Sequence, residues 1–259
     1  MIVQARQAKR ILFAAVLCAA YRVVAAHAGV EITQKVTMPD PKGGTKTATH
    51  TTIIQGNRLK TITADGTTIT DLDKGTMVAL DDKSKTATEM PIQSFGGSLS
   101  NAFLGEFKPT GKKKTVNGFT CEEYTHDFKA PGSDVTSVSC IAKDAPGAAE
   151  AAAFYRKMSE KMSGSKPNGS LPQGISVADE GTFKPAAIVV PGMPAETAKK
   201  IAEAQAKQTP RTSKSEVTSI KAVNLPAAEF EVPPGYTVRK VDPSTFMLPI
   251  PRPSAAPAK

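Results

Sequence analysis

The chain has 259 residues, with 33 basic against 24 acidic side chains and a formal net charge of +9. That length suits one domain of ordinary size, with or without decorations. Four of the 33 basic residues and none of the acidic ones fall in the first 28 positions, leaving 29 against 24, a net of +5. Much of the basicity is therefore local to the N-terminus, and no nucleic-acid partner is expected. The remaining charge allows a mild peripheral attraction to anionic lipid or cell-wall polymer, but a soluble surface with more Lys than Asp accounts for it better.

The N-terminus reads as a signal peptide over residues 1–28. Arg6, Lys9 and Arg10 precede the apolar run Ile11 to Ala20 (ILFAAVLCAA), and Ala26-His27-Ala28 supplies a small-x-small site. Cleavage is expected between Ala28 and Gly29. The apolar run is far short of the roughly 20 residues of a bilayer span, so a retained anchor is the lesser alternative. Leu17 stands where a lipoprotein signal needs a small residue, which argues against lipidation at Cys18. The expected location is the periplasm or the outside of the cell.

From Gly29 to Met90 the sequence predicts a β-meander. Short β-branched runs, VEITQKVTM (30–38), ATHTTIIQ (48–55), RLKTITA (58–64), TTITDL (67–72), TMVALD (76–81) and KTATEM (85–90), are separated by Gly56-Asn57, Asp65-Gly66, Asp73-Lys74-Gly75 and Asp81-Asp82-Lys83. Pro39 to Thr47 reads as a flexible hairpin loop. Phe95, Leu99, Phe103, Leu104 and Phe107 are spaced like a short, loosely helical apolar segment.

A hairpin is predicted over Thr115 to Phe128 and Val135 to Ala142. Cys121 and Cys140 are the two cysteines left after signal removal, and an exported compartment makes them an expected disulfide. Folding that hairpin about Ala130 and Pro131 sets the two opposite one another to within a residue, compatible with the Cα spacing of about 4.4–6.8 Å that a disulfide needs.

The clearest helix is Ala148 to Met162, with Asp144 as N-cap, Pro146 in the first turn and Gly164 as a stop. Ala151, Phe154, Tyr155, Met158 and Met162 form its apolar stripe. Residues 163 to 175 read as a loop. Ala195 to Gln208 is a second helix or an exposed flap, and strands return at Glu216–Val223, Ala228–Val232 and Tyr236–Val241. The expected organisation is one α+β domain over 29–248 and a Pro-rich disordered tail over 249–259.

No catalytic constellation emerges. His50 and His126 lie in strand-like runs, and no serine occupies a G-x-S-x-G elbow. Asp71-x-Asp73-x-Gly75 has Thr76 where a calcium loop needs glycine, so it reads as a turn. Glu122 and Glu123 are adjacent in a strand and must face opposite ways. GEFKPTGK (105–112) departs from a phosphate loop in spacing and lacks its Ser or Thr. Lys112-Lys113-Lys114 reads as a solvated basic run more readily than a headgroup contact. Phe154, Tyr155, Met158 and Met162 carry two readings, a helix covering the inner face of a sheet or the lining of an apolar ligand site.

Four segments together resemble a known family. They are Leu80 to Met90 (LDDKSKTATEM), Val116 to Tyr124 (VNGFTCEEY) with Thr110-Gly111 before it, Val138 to Asp144, and Phe230 to Tyr236 (FEVPPGY). Their order, spread over Gly29 to Val241, is similar to that of an exported bacterial family, domain of unknown function 4412. The resemblance implies the fold of the periplasmic outer-membrane lipoprotein carriers: an open, curved antiparallel half-barrel on one main helix, with an apolar concavity and no implied activity. The function expected is a non-enzymatic envelope protein without cofactor or metal, binding a lipid or lipoprotein anchor. The alternative is an envelope structural or protein-interaction module with no small ligand.

Overall fold

A computed structural model describes residues 29–40, 43–95, 106–130, 133–163, 171–186, 194–206 and 209–241. Ala28 and the rest of the signal segment, Leu99, Phe103 and Leu104, and the tail from Pro249 lie outside the described residues. Twelve strands form one sheet: β1 (Gly29–Pro39), β2 (Thr45–Gln55), β3 (Arg58–Thr63), β4 (Gly66–Asp71), β5 (Thr76–Asp81), β6 (Thr86–Pro91), β7 (Phe107–Val116), β8 (Phe119–Ala130), β9 (Ser133–Ala142), β10 (Ile175–Pro185), β11 (Arg211–Val223) and β12 (Thr237–Lys240). The spatial order is β12-β6-β5-β4-β3-β2-β1-β11-β10-β9-β8-β7, so the sheet is unclosed, with β12 and β7 at its edges. All described pairings are antiparallel except β12 with β6.

Helix α1 (Ala148–Ser163) packs on this sheet, touching β1, β2, β10 and the short 3-10 turn Ile92–Phe95. Its stripe meets Val30, Ile32 and Ile54 from the central strands, with Leu59, Leu72, Ile92, Ile175 and Val217 completing the core. Burying each large apolar side chain there contributes about 1.5–3 kcal/mol. Asp144 does not cap α1. The helix begins one residue after Gly147, whose φ is +72°. A Cβ on Gly147 would lie 2.5 Å from the Cβ of the fully buried Val30. That close approach sets how deeply the start of α1 sits on β1.

A second cluster covers the opposite face of β2–β6: Ile53, Ile69, Val78, Leu80 and Ala87 pack with Phe230. The strand expected at Ala228–Val232 is instead a 3-10 turn, Ala227–Phe230, that inserts Phe230 between these residues. The Gln55 side chain holds the approach to it, donating to the Leu225 carbonyl and accepting from the Leu225 N–H, both at 2.9 Å. Tyr236 then lies under the Lys85 ammonium, 4.9 Å from the ring centroid, with its hydroxyl on Asp82. The Phe-Glu-Val-Pro-Pro-Gly-Tyr segment is thus a clasp across the outside of the meander.

Several expectations shift. The loop after β1 is shorter than Pro39 to Thr47, because pairing runs to Pro39↔Thr45. The run read as one strand from Thr115 to Phe128 is broken at Asn117 (φ +48°) and Gly118 (φ +88°), an Asn-Gly turn of the I′ kind joining β7 to β8. Phe107 stands in β7 rather than in a helical segment. β10 was not anticipated; its alternation is interrupted by an irregularity between Ser176 and Ala178 and by Gly181. The second helix, α2 (Ala195–Ala206), forms, and its described side chains are exposed, with Lys200 3.0 Å from Glu196. The fold is therefore mostly β, and α+β applies to it only in that α1 is packed on the sheet.

Candidate functional site

Successive residues of β8–β11 alternate between two faces, and chemistry collects on both. Cys121 and Cys140, buried in the same core cluster as the α1 stripe, form a disulfide with Cα atoms 5.3 Å apart. The β8–β9 turn lies one residue later than Ala130-Pro131, pairing Ala130 with Ser133, so Cys140 stands opposite Glu123 and the disulfide runs diagonally to Cys121. This corrects the expected direct opposition while keeping the predicted partners. The Asn117 amide donates to the Val217 carbonyl at 2.8 Å, so the β7–β8 turn curls over β11. The result is a groove of about 520 Å³ between Lys112, Lys114 and Glu123 on one side and Glu180, Lys214 and Glu216 on the other.

The charges of this groove are largely answered from within. Glu123 is ion-paired with Lys114 and, at 3.6 Å, with Lys112, and accepts from Thr110 Oγ1 at 3.1 Å. These contacts, led by Lys114, hold its carboxyl below the usual range. Glu122 points the other way, to Lys143 at 2.5 Å and Lys113 at 3.6 Å, and is likewise held low, chiefly by Lys143. The Lys112-Lys113-Lys114 run thus serves two adjacent glutamates on opposite faces.

On the α1 face the chemistry is different. A cavity of about 210 Å³ is lined by Phe107, Ile141, Ala152, Tyr155, Leu171 and Pro172, with Ser139, Ser176 and Asp179 at one corner. A second, of about 260 Å³, lies against Ile32, Gln34, Thr52 and Ile175 and shares Tyr155, Ser176 and Asp179 with the first. Tyr155 is the wall between them. Its ring packs edge-on to Phe154 at 5.7 Å, and its phenol is pushed up to about 12, first by burial and then by the charge of Asp179. Asp179 accepts from Ser139 Oγ at 2.5 Å and from Ser176 Oγ at 2.7 Å, so β9 and β10 together fix the carboxylate.

The predicted quartet therefore divides. Phe154, Met158 and Met162 are buried in the core, and Tyr155 is the member that lines these cavities. The remaining lining residues were not singled out from sequence, because Ser176 and Asp179 lie in the unanticipated β10 and Phe107 in the unanticipated start of β7. Behind Phe107, His126 stacks on its ring at 4.2 Å and approaches Phe128 at 5.2 Å. The His126 Nε2 is buried with no hydrogen-bond partner among the described residues, and burial pushes its pKa below the ordinary value. His50 lies elsewhere, opposite Gln34 in the β1–β2 register. Asp71 Oδ1 accepts the N–H groups of Asp73 and Lys74, each at 2.9 Å, and Asp73 accepts from Asn57 at 2.7 Å, so these carboxylates build the β4–β5 and neighbouring turns.

A third concavity, of about 460 Å³, lies where α1 meets the β2–β3 turn and mixes polar groups with Ala153, Ala227 and Phe230. Glu150 accepts from the Gly56 N–H at 2.6 Å, and Lys157 donates to Asn57 at 2.7 Å. These contacts fasten the outer side of α1 to the meander.

The profile of the domain of unknown function DUF4412 matches residues 31–236. The chain belongs to this family. No curated protein matches the DUF4412 chain in sequence. Among solved structures, it is similar to PNGF-II in two crystal forms, at 12% and 11% identity with TM-scores of 0.41 and 0.42, covering 85% of this chain and 32% of that one in both cases. The chain thus spans about a third of PNGF-II's length. It is also similar to the LolA superfamily protein NE2245 from Nitrosomonas europaea, at 6% identity and a TM-score of 0.31, covering 79% of this chain and 90% of that one. Similarities this distant decide nothing about function, which rests on the geometry of the DUF4412 domain itself.

Proposed function

We propose that this DUF4412 protein is an exported, non-enzymatic envelope protein that holds a hydrophobic moiety, an acyl chain or lipoprotein anchor, on the α1 face of its half-barrel. The observation that carries this reading is the cavity walled by Phe107, Ile141, Ala152, Leu171 and Pro172, with a second cavity sharing Tyr155 beside it. Ligand sites are concave and mainly apolar, with a few fixed polar groups, and this site has that composition. The charged groove has its side chains bound to one another, and the concavity beside Glu150 is divided between polar and apolar groups, so neither is as apolar as the cavity beside Phe107 and Ile141. Export is supported by the tripartite pattern of residues 1–28.

The test is native mass spectrometry of protein purified from its own envelope, beside uptake of a neutral fluorescent alkyl probe by wild type and Ala152→Leu. Ala152 faces the cavity from α1, so a larger side chain fills it. The reading expects a lipid adduct and probe uptake in wild type, with both reduced in Ala152→Leu at an unchanged circular-dichroism spectrum. No adduct and no uptake would favour the interaction module instead.

A further inference from the structure

We infer that the α1-face site selects its ligand by headgroup charge, accepting amphiphiles with a cationic or hydrogen-bond-donating head and rejecting anionic ones such as free fatty acids. This deepens the reading above and rests on it. The polar corner shared by the two cavities is built from one carboxylate and serine hydroxyls, with Asp179 at its centre.

The hydrogen-bond directions decide the sign. Ser139 aims its single O–H at Asp179, and Ser176 shares its own between Asp179 at 2.7 Å and the Ala178 carbonyl at 3.3 Å, so what their oxygens have left to offer is lone pairs. With a longer third bond from Ser215 Oγ at 3.5 Å, three of the roughly four acceptor positions of the carboxylate are engaged, leaving one for an incoming donor, which can also displace the long Ser215 bond. No Lys or Arg lines either cavity among the described residues; Asp179 also borders the charged groove, whose Lys112 and Lys114 are paired with Glu123 and whose Lys214 is paired with Glu180. The two other titratable groups nearby add no charge at neutral pH: the Tyr155 phenol is held protonated and the His126 imidazole behind Phe107 is held neutral by burial. An ammonium or hydroxyl placed there gains a charge-assisted bond to Asp179. A carboxylate head would meet a like charge in a part-buried site with no counter-ion, which is unfavourable.

The test compares octylamine, octan-1-ol and octanoate by displacement of the neutral fluorescent alkyl probe at pH 7, on wild type and Asp179→Asn. Octylamine should displace the probe at a concentration about tenfold or more below octanoate, with octan-1-ol between them, because an ion pair shielded from bulk water outweighs a screened surface pair. In Asp179→Asn the order of amine and acid should collapse and octan-1-ol should lose only the smaller part of its affinity that came from Asp179, while retained binding of the neutral probe and an unchanged circular-dichroism spectrum report that the variant is folded. Ser176→Ala, which removes one support of Asp179, provides a milder second variant and should narrow the same gap. Octanoate binding as well as octylamine, or an unchanged gap in Asp179→Asn, overturns the charge selection and leaves the apolar site standing. Failure of all three alkyl compounds to displace the probe, or failure of the probe itself to bind, overturns both.

Discussion

Gly147 is the position at which one added methyl group should cost most. It sits at φ +72°, a left-handed conformation that costs a non-glycine residue about 1–2 kcal/mol. In addition, a Cβ there would meet Val30 Cβ at 2.5 Å and its two γ-methyls at 2.8 and 3.1 Å. Val30 is fully buried at the centre of the sheet, flanked in register by Ile54 and Ala222, and has no room to retreat. Overpacking of this sort adds about 1–3 kcal/mol, so Gly147→Ala should destabilise the fold by about 2–5 kcal/mol in total. Urea unfolding followed by circular dichroism measures it. In a Val30→Ala background the two γ-methyl conflicts are gone while the 2.5 Å Cβ–Cβ conflict stays, so the cost of Gly147→Ala should fall in part, remaining above the conformational cost alone. The reasoning is refuted if Gly147→Ala costs under about 0.5 kcal/mol, or if its cost is the same in both backgrounds, since packed neighbours should couple by at least that much.

Three further outcomes follow from the same structure. Replacing Cys121 and Cys140 by serine should lower stability by about 3 kcal/mol, the loop-closure value for their 19-residue separation, and non-reducing peptide mapping of exported protein should recover the two linked. His126 has a folded pKa below its unfolded value of 6.5, so the native state binds fewer protons; its contribution is complete above that value and lost as pH falls through it. The urea midpoint should therefore drop between pH 8 and 5, and His126→Phe should flatten that slope, leaving the acid losses of Glu122 and Glu123, whose depressed pKa values act below their unfolded 4.5. N-terminal sequencing of the mature protein should read from Gly29, and detection of residues 1–28 on the purified protein would instead favour the anchor.

The meander from β1 to β6 was legible because each strand is bounded by a turn residue with a backbone reason to be there, as at Gly56 and Gly75, both at positive φ. The stripe on α1 was legible for the same local reason, a 3.6-residue period. Asn117-Gly118 carries a strong hairpin signal, yet the strands it joins are hard to see: β7 is polar and basic along most of its length, and its backbone pairing with β8 is accompanied by ion pairs to Glu122 and Glu123 in place of an apolar alternation. β10 is hidden similarly, since Gly181 and the irregularity between Ser176 and Ala178 break its alternation, and its pairing is supplied by strands distant in sequence. The site inherits that blindness. Tyr155 could be named from the helix, whereas Asp179 becomes part of a cavity only once β9, β10 and α1 are assembled. Which stripe residues plug the core and which border a space is likewise a tertiary matter, set by what lies opposite each one.

The central claim is that an apolar chain lies against Tyr155 between α1 and the sheet. Photo-crosslinking with an alkyl diazirine that ends in a primary amine, followed by peptide mapping, reads the location directly. The account predicts labels on Phe107, Ile141, Ala152, Tyr155 or Leu171, competed away by excess octylamine. Labels confined to the charged groove around Lys114 and Lys214, or to the Phe230 face, would contradict it.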